Sequence, residues 1–102
     1  MKLELESGRS IDEPTSDDIL TNIEGEEFAI LSIGPDSYIQ TCEQRESPWE
    51  YELEYRAGCA DKHYRATDGP ITLDRVIEAF LRYLVGDPTW WSQFEWKRLD
   101  LD

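Results

Sequence analysis

Residues 49–56 read Trp-Glu-Tyr-Glu-Leu-Glu-Tyr-Arg, a strict alternation of apolar and charged side chains. Successive side chains of a β-strand point to opposite faces of the sheet, so this period of two predicts a strand with one buried and one solvated face. The side chains that we expect to be buried are Trp49, Tyr51, Leu53 and Tyr55. The chain therefore needs a sheet with an apolar layer on one side.

The residues after this strand predict an antiparallel neighbour at 61–67, joined to it by a hairpin loop at 57–60. The expected register places Leu53 opposite Tyr64 and sets opposite charges against each other. The remaining pairs in this register are Arg56 with Asp61, Glu54 with His63, Glu52 with Arg65, and Tyr51 with Ala66. A slip of one residue would put Leu53 opposite a charged side chain.

Capping residues and apolar spacing predict two helices. The first begins after Thr15, with Asp18 as the acid of a capping box, and ends near Gly25. The second and longer helix begins after Thr72 and ends before Gly86, since glycine readily adopts the left-handed conformation that terminates helices. Its apolar positions follow the helical period and are Leu73, Val76, Ile77, Phe80, Leu81 and Leu84. We expect this stripe to pack on the sheet, with Phe80 largely buried.

Four further segments complete the expected sheet. Residues 1–6 and 38–44 each predict a strand, and residues 28–33 are apolar on both alternations, which predicts a strand covered on both faces. Residues 94–101 predict a last short strand, and a helical turn at 90–93 is the alternative for the segment before it. The predicted fold class is α+β, in a single domain at 1–102. It is an antiparallel strand meander with one long amphipathic helix packed on one face, a short N-terminal helix and a short C-terminal strand.

The charge balance is strongly acidic. The 102 residues include 23 Asp and Glu against 10 Lys and Arg, which gives a net charge of −13, and 12% of the residues are aromatic. The aromatic content predicts a folded core, because an acidic disordered tail would lack it. The negative field disfavours nucleic acid and anionic membranes as partners and favours a basic protein. A surface that only keeps the protein soluble would show the same charge.

We expect a cytoplasmic protein. Residues 1–9 are acidic and alternating, unlike the basic start and apolar run of a signal peptide. No apolar stretch approaches the ~20 residues needed to span a bilayer. The two cysteines do not make the disulfide framework of a small secreted domain.

Few residues offer metal or thiol chemistry. Cys42, Cys59 and His63 are the Cys and His residues of the chain, whereas a structural zinc site usually takes four such ligands. As a thiol–imidazole couple, Cys59 and His63 lack an evident oxyanion donor or orienting residue. We therefore expect no catalytic residue, no metal and no cofactor.

Three acids alternate on the polar face of the 49–56 strand: Glu50, Glu52 and Glu54. Paired carboxylates can perform glycoside hydrolysis, so a small carboxylate-dependent enzyme is an alternative function. Any half-exposed strand shows the same alternation, and we favour that interpretation. As a negative surface, these acids are candidate contacts for a basic protein. If Arg65 and Lys62 neutralise them, the better candidates lie at the two ends of the first helix: Asp17, Asp18, Glu26 and Glu27.

A tryptophan-rich segment follows the long helix, with Trp90, Trp91 and Trp96 close together. Tryptophan is enriched in the residues that dominate binding energy, but a small domain also needs it in the core. We expect Trp96 and at least one of the adjacent pair to be core residues. An exposed Trp90 or Trp91 would be a candidate anchor for a partner.

Several short motifs carry a family resemblance. They are Pro14-Thr15-x-x-Asp18-Ile19, Tyr38-Ile39-Gln40, Leu53-Glu54-Tyr55-Arg56-x-Gly58, His63-Tyr64, Phe80-x-x-Tyr83-Leu84-x-Gly86-Asp87 and Phe94-x-Trp96. The pattern resembles small bacterial α+β proteins of unassigned function, and the layout is similar to immunity proteins of polymorphic-toxin systems. The resemblance covers most of the chain and implies neutralisation of a cognate toxin, often a nuclease or deaminase. It transfers no catalytic residue and no partner contact.

The predicted function is therefore that of a non-catalytic protein-binding module, an immunity protein that neutralises a basic toxin domain. The alternatives are the small carboxylate-dependent enzyme and an accessory or structural subunit. An enzyme of this kind needs a concave pocket with a buried acid, and an accessory subunit needs an exposed apolar patch.

Overall fold

Seven β-strands form one antiparallel sheet in this computed structural model, within the residues that it describes, 1–24, 26–44, 47–67 and 71–99. The strands are β1 (Lys2–Leu5), β2 (Ser10–Asp12), β3 (Phe28–Gly34), β4 (Ser37–Gln44), β5 (Ser47–Ala57), β6 (His63–Ala66) and β7 (Trp96–Arg98). Their order across the sheet is β2-β1-β3-β4-β5-β6-β7. The predicted α+β class and antiparallel meander are confirmed.

The helices lie on one face of this sheet. They are α1 (Ser16–Asn22), α2 (Leu73–Leu84) and α3 (Thr89–Ser92), and a 3-10 helix at Ala60–Lys62 precedes β6. α2 contacts β4 and β5, and both α1 and α3 contact α2. The core between the helices and the sheet includes the fully buried side chains of Leu3, Ile19, Leu31, Ile39, Leu53, Val76 and Phe80. A transfer free energy of about 25 cal/mol per Å² of apolar surface makes this layer the main stabilising contribution.

Both predicted helix starts are confirmed. The Thr15 hydroxyl accepts from the Asp18 backbone N–H at 3.3 Å, and the Asp18 carboxylate accepts from the Thr15 N–H at 2.8 Å, which completes the capping box. The Thr72 hydroxyl accepts from the Arg75 N–H at 3.4 Å at the start of α2. Gly25, the predicted end of the first helix, lies outside the described residues.

The buried stripe of α2 is rotated from the predicted one. Phe80 is fully buried, as expected, but the other buried residues are Val76, Ala79 and Tyr83. The outer members of the predicted stripe are only half-buried: Leu73, Ile77, Leu81 and Leu84. The rotation follows from the aromatic neighbours, because Tyr83 packs edge-to-face against Tyr55 and Trp90, at 6.3 Å and 5.6 Å between ring centroids.

The prediction that the 28–33 strand is covered on both faces was wrong. Ala29 and Leu31 of β3 are fully buried, but Phe28 is 38% exposed and Ile33 is 64% exposed. The reason is that the helices cover one face of the sheet only. The alternate side chains Phe28, Ile30 and Ser32 therefore lie on a solvent-facing surface, and an irregularity between Ser32 and Gly34 takes Ile33 out of the alternation that buries Ala29 and Leu31.

The predicted register of β5 and β6 was wrong by two residues. Arg56 lies opposite His63, and Tyr55 lies opposite Tyr64. The 3-10 helix at Ala60–Lys62 lengthens the connection, so β6 begins later than a tight hairpin would allow. A shift of two preserves the faces, so Leu53 and Tyr64 still share the helix-covered side. The side chain of Trp49, predicted on that same side, lies outside the described residues.

Candidate functional site

The helix-free side of the sheet, which we call the open face, presents two rows of side chains that run across the strands. The inner row contains Glu4, Ile30, Gln40, Glu54 and Arg65, each opposite the next in the ladder. The outer row contains Lys2, Ser32, Tyr38, Arg56 and His63. An open groove of about 650 Å³ lies over β1, β3 and β4 between these rows.

His63 is buried on this face, with 4% of its surface exposed. Its Nε2 lies 2.6 Å from a Glu54 carboxylate oxygen, and its Nδ1 accepts from the Arg56 Nε–H at 3.1 Å. Because Nε–H of arginine only donates, Nδ1 carries no proton and Nε2–H is the donor to Glu54. Arg56 also contacts Asp36 at 3.4 Å and lies over the Tyr38 ring. Both ring nitrogens are therefore occupied, and neither is available to a substrate in this arrangement.

Two of the three carboxylates on the polar side of β5, Glu52 and Glu54, are compensated by cations on the same face. Glu52 forms an ion pair with Arg65, and Glu54 is hydrogen-bonded to His63 beside Arg56. These are the contacts predicted for directly opposite residues, but they form diagonally because the register differs. Glu52 and Glu54 are consequently poor candidates for recognition of a basic partner. If Arg65 neutralises the polar side of β5, the acids at the two ends of the first helix are the better candidates, and Arg65 does form an ion pair with Glu52.

A second group of carboxylates, which we call the acidic end, lies where β3 and β5 begin and β4 ends. Its members are Glu24, Glu26, Glu27, Glu43 and Glu50. The Glu43 N–H donates to the Glu27 carbonyl at 2.7 Å, and Glu26 accepts from the Ser7 hydroxyl at 3.3 Å. Within the described residues, none of the five carboxylates forms an ion pair with a lysine or arginine.

The pKa of Tyr51, which lies at this end, responds to the nearby negative charges. The Tyr51 hydroxyl lies 3.5 Å from a Glu43 carboxylate oxygen. Burial raises the pKa of Tyr51 above its ordinary value of 10.0, and the negative charges of Glu43 and Glu24 raise the pKa further because they oppose a phenolate. The carboxylates of two different segments therefore act on one point at the end of the sheet.

Two predicted contact residues lie away from this end. Asp17 and Asp18 are in the first turn of α1, whereas Glu24, Glu26 and Glu27 follow the end of that helix. Seven helical residues span about 10 Å. Asp18 is also engaged in the capping box. The structure thus places Glu24, Glu26, Glu27, Glu43 and Glu50 at the same end of the sheet, with Glu43 on the helix-covered face opposite Tyr51 and Glu50 on the open face, and it separates Asp17 and Asp18 from that end.

The tryptophan segment belongs mainly to the core. Trp90 is 6% exposed and packs edge-to-face on Tyr55 at 4.7 Å, which confirms that at least one of the adjacent pair is a core residue and leaves Trp90 without the exposure that an anchor needs. Trp91 is half-buried and stacks on Trp96 at 4.5 Å, and the Trp96 Nε1–H donates to the Trp91 carbonyl at 2.7 Å. The rings of Tyr55 and Tyr83 complete the cluster, which explains the burial of Trp90.

The residues considered for metal or thiol chemistry are spread out. Cys42 lies opposite Glu52 and His63 lies opposite Arg56, so their rows are about 13 Å apart along β5. Cys59 is exposed in the turn after β5. In the described part of the chain, no group of three His, Cys, Asp or Glu side chains is placed to hold a metal ion. The acids that line the groove, Glu4, Asp12 and Glu13, are exposed or half-buried.

Comparison with known proteins adds no relative: no protein-family model, no curated protein and no solved structure matches this chain. Within the described residues, the helices are too short or too polar to cross a bilayer. The resemblance to immunity proteins thus stays a prediction from the sequence motifs.

Proposed function

We propose that this chain is a non-catalytic protein-binding module, an immunity protein that neutralises a basic toxin domain in the cytoplasm. The proposal joins the sequence resemblance to one structural observation, the acidic end. There, five carboxylates from three segments lie at one end of the sheet, on both of its faces, and none forms an ion pair with a lysine or arginine among the described residues. The exposed thiol of Cys59 suits a reducing compartment.

Electrostatic attraction of a basic partner should be stronger at the acidic end than on the open face. On the open face, cations accompany the carboxylates, so the field of each pair falls off quickly with distance. At the acidic end the contributions add, because like charges lie on neighbouring segments. A concentrated field of one sign accelerates the approach of an oppositely charged surface and sets its orientation. A toxin that acts on nucleic acid carries such a positive surface, since phosphate binding rests on lysine and arginine.

The proposal is tested by affinity capture from the source organism with three baits. The first is the unmodified chain, and the second carries Glu27→Lys and Glu50→Lys at the acidic end. The third is a matched control with Asp61→Lys and Asp17→Lys, two exposed positions away from that end. Both variants change the net charge by the same amount, so a difference between them reports position rather than total charge.

We expect one basic protein to be retained by the unmodified chain and by the control, and to be lost from the acidic-end variant. The captured protein should be toxic when expressed alone and harmless when co-expressed with the unmodified chain. Equal retention by all three baits would contradict the proposal, as would a captured partner with an acidic contact face.

A further inference from the structure

We propose that the open face is a self-association surface, on which two copies of this chain stack sheet against sheet about a twofold axis that runs across the strands. The inference concerns a different surface from the acidic end and does not depend on the proposed function. It rests on the charge pattern of the two rows and on the area of the face.

The two rows are complementary to each other. The inner row carries Glu4 and Glu54, and the outer row carries Lys2 and Arg56 at the matching positions on β1 and β5. On β6 the inner row carries Arg65 and the outer row carries His63, so the complementary charges are those of β1 and β5. Lys2 and Glu4 lie 3.5 Å apart within one chain, and each side chain is 46% exposed. Both side chains can therefore contact a second chain without any rearrangement of the fold.

A twofold axis between the rows exchanges them. In a face-to-face stack the axis lies in the plane of the interface, and an axis across the strands places the inner row of one copy over the outer row of the other. Lys2 then meets Glu4 of the second copy, and Glu54 meets its Arg56. Sheets packed in an aligned manner are about 10 Å apart, a gap that lysine, arginine and glutamate side chains span from both sides.

The centre of this arrangement is uncharged. Ile30 and Gln40 of the inner row and Ser32 and Tyr38 of the outer row lie between the charged strands, and all four are half-buried in one chain. The groove of about 650 Å³ lies over these four residues and extends to the charged side chains of Lys2, Glu4, Asp12 and Glu13 on one side. An uncharged centre between charged flanks is the usual anatomy of a protein–protein interface.

The area of the face also fits a second copy. Seven strands at about 4.8 Å spacing are about 29 Å wide, and the central strands of seven or eight residues are about 25 Å long. The outer strands are only three or four residues long, and an axis between the rows overlaps the two sheets over about five residues per strand, so the shared area is on the order of 500 Å² per partner, the size of a weak dimer interface. The same axis sends the two acidic ends to opposite ends of the pair, which limits repulsion between two chains of net charge −13.

Sedimentation equilibrium of two charge-reversed variants tests the proposal. Lys2→Glu sets two carboxylates against each other across the axis, and Glu4→Lys sets two ammonium groups against each other. Each variant alone should dimerise about tenfold more weakly than the unmodified chain, because two like-charge contacts replace two ion pairs.

An equimolar mixture of the two variants should restore the dimer. The carboxylate introduced at position 2 of one chain then meets the ammonium group introduced at position 4 of the other. The unaltered Glu4 of the first variant likewise meets the unaltered Lys2 of the second. Mixing should therefore restore a particle of twice the 11.9 kDa chain mass.

Restoration on mixing would show that the contacts lie between chains. Residues 2 and 4 of the same chain still carry like charges after mixing, so a contact within one chain would not be restored. Matched controls are Arg98→Glu and Asp74→Lys, which make the same changes of net charge on the helix-covered side. The controls should dimerise as the unmodified chain does. The proposal is overturned if the unmodified chain stays monomeric up to near-millimolar concentration, if mixing restores no dimer, or if the controls weaken association equally.

Discussion

His63 is buried, although it lies on the side of the sheet that faces solvent. A buried imidazole is stable only when its nitrogens have partners, and here Glu54 and Arg56 supply one each, at 2.6 Å and 3.1 Å. The neighbouring Tyr38 ring, 6.0 Å from the imidazole centroid, helps to exclude water. The cluster is therefore a structural hydrogen-bond network rather than an exposed acid–base pair.

Arg56→Met should destabilise the fold by roughly 1–3 kcal/mol, because it leaves the buried Nδ1 of His63 without a donor. Arg65→Met is the matched control, since it removes a more exposed ion pair with Glu52 and should cost at most about 1 kcal/mol. Urea unfolding of the two variants measures the difference. Equal free energies of unfolding would show that the His63 network contributes no more than a surface pair.

Alkaline pH should destabilise the chain through Tyr83. Burial, with a smaller contribution from Tyr55, raises the pKa of Tyr83 from 10.0 to about 12. The unfolded chain loses the phenol proton near pH 10 and the folded chain holds it until about pH 12, so the unfolded state binds fewer protons in this range. The free energy of unfolding must then fall as pH rises from about 10 to about 12.

Tyr83→Phe removes the titrating group and keeps the ring, so its stability should fall less over the same pH range. Chemical unfolding at a series of alkaline pH values measures both slopes. Identical slopes for the variant and the unmodified chain would contradict the assignment to Tyr83.

At the scale of elements, α2 makes the main helix contact with the sheet. Phe80→Ala should cost roughly 3–5 kcal/mol, because the ring is fully buried and its removal leaves a cavity. Leu84→Ala is the control on the same helix: Leu84 is half-buried, and its loss should cost roughly 1–2 kcal/mol. Denaturant midpoints give both values. A Phe80→Ala midpoint as high as that of Leu84→Ala would mean that the ring does not fill the core.

The helix starts were predictable because their signals are local. Thr15, Asp18 and Thr72 satisfy backbone donors within three residues, so sequence spacing alone specifies them. β2 carries no such signal: among its three residues only Ile11 is apolar, and the strand exists because it pairs with β1. The β5–β6 register likewise depends on the geometry of the turn, which alternation does not determine.

The sequence of β3 does not show which of its two faces is exposed to solvent. An almost continuous apolar run is typical of a strand buried on both sides, and only the placement of the helices reveals that one side is open. The exposed Phe28 and half-buried Ile30 thus belong to a surface that the sequence assigned to the core. This surface is part of the open face.

At the scale of the whole molecule, the charge is divided unevenly. The sequence established the excess of acids, and it named Glu26, Glu27 and Glu50, which the fold brings to one end of the sheet. It did not single out Glu43, which joins that end only through the pairing of β3, β4 and β5, nor Glu24, which lies in the turn between α1 and β3. It also included Glu52 and Glu54, whose cationic partners lie on a neighbouring strand.

The most direct test of recognition by the acidic end is the rate of association with the captured basic partner across a salt series. The account predicts a rate that falls steeply from about 20 to about 300 mM salt, because exposed charges are screened over about 10 Å at 0.1 M. The Glu27→Lys and Glu50→Lys variant should associate slowly and depend weakly on salt, while the Asp61→Lys and Asp17→Lys control keeps the steep dependence. A rate for the unmodified chain that stays flat over this range would contradict electrostatic recognition at the acidic end.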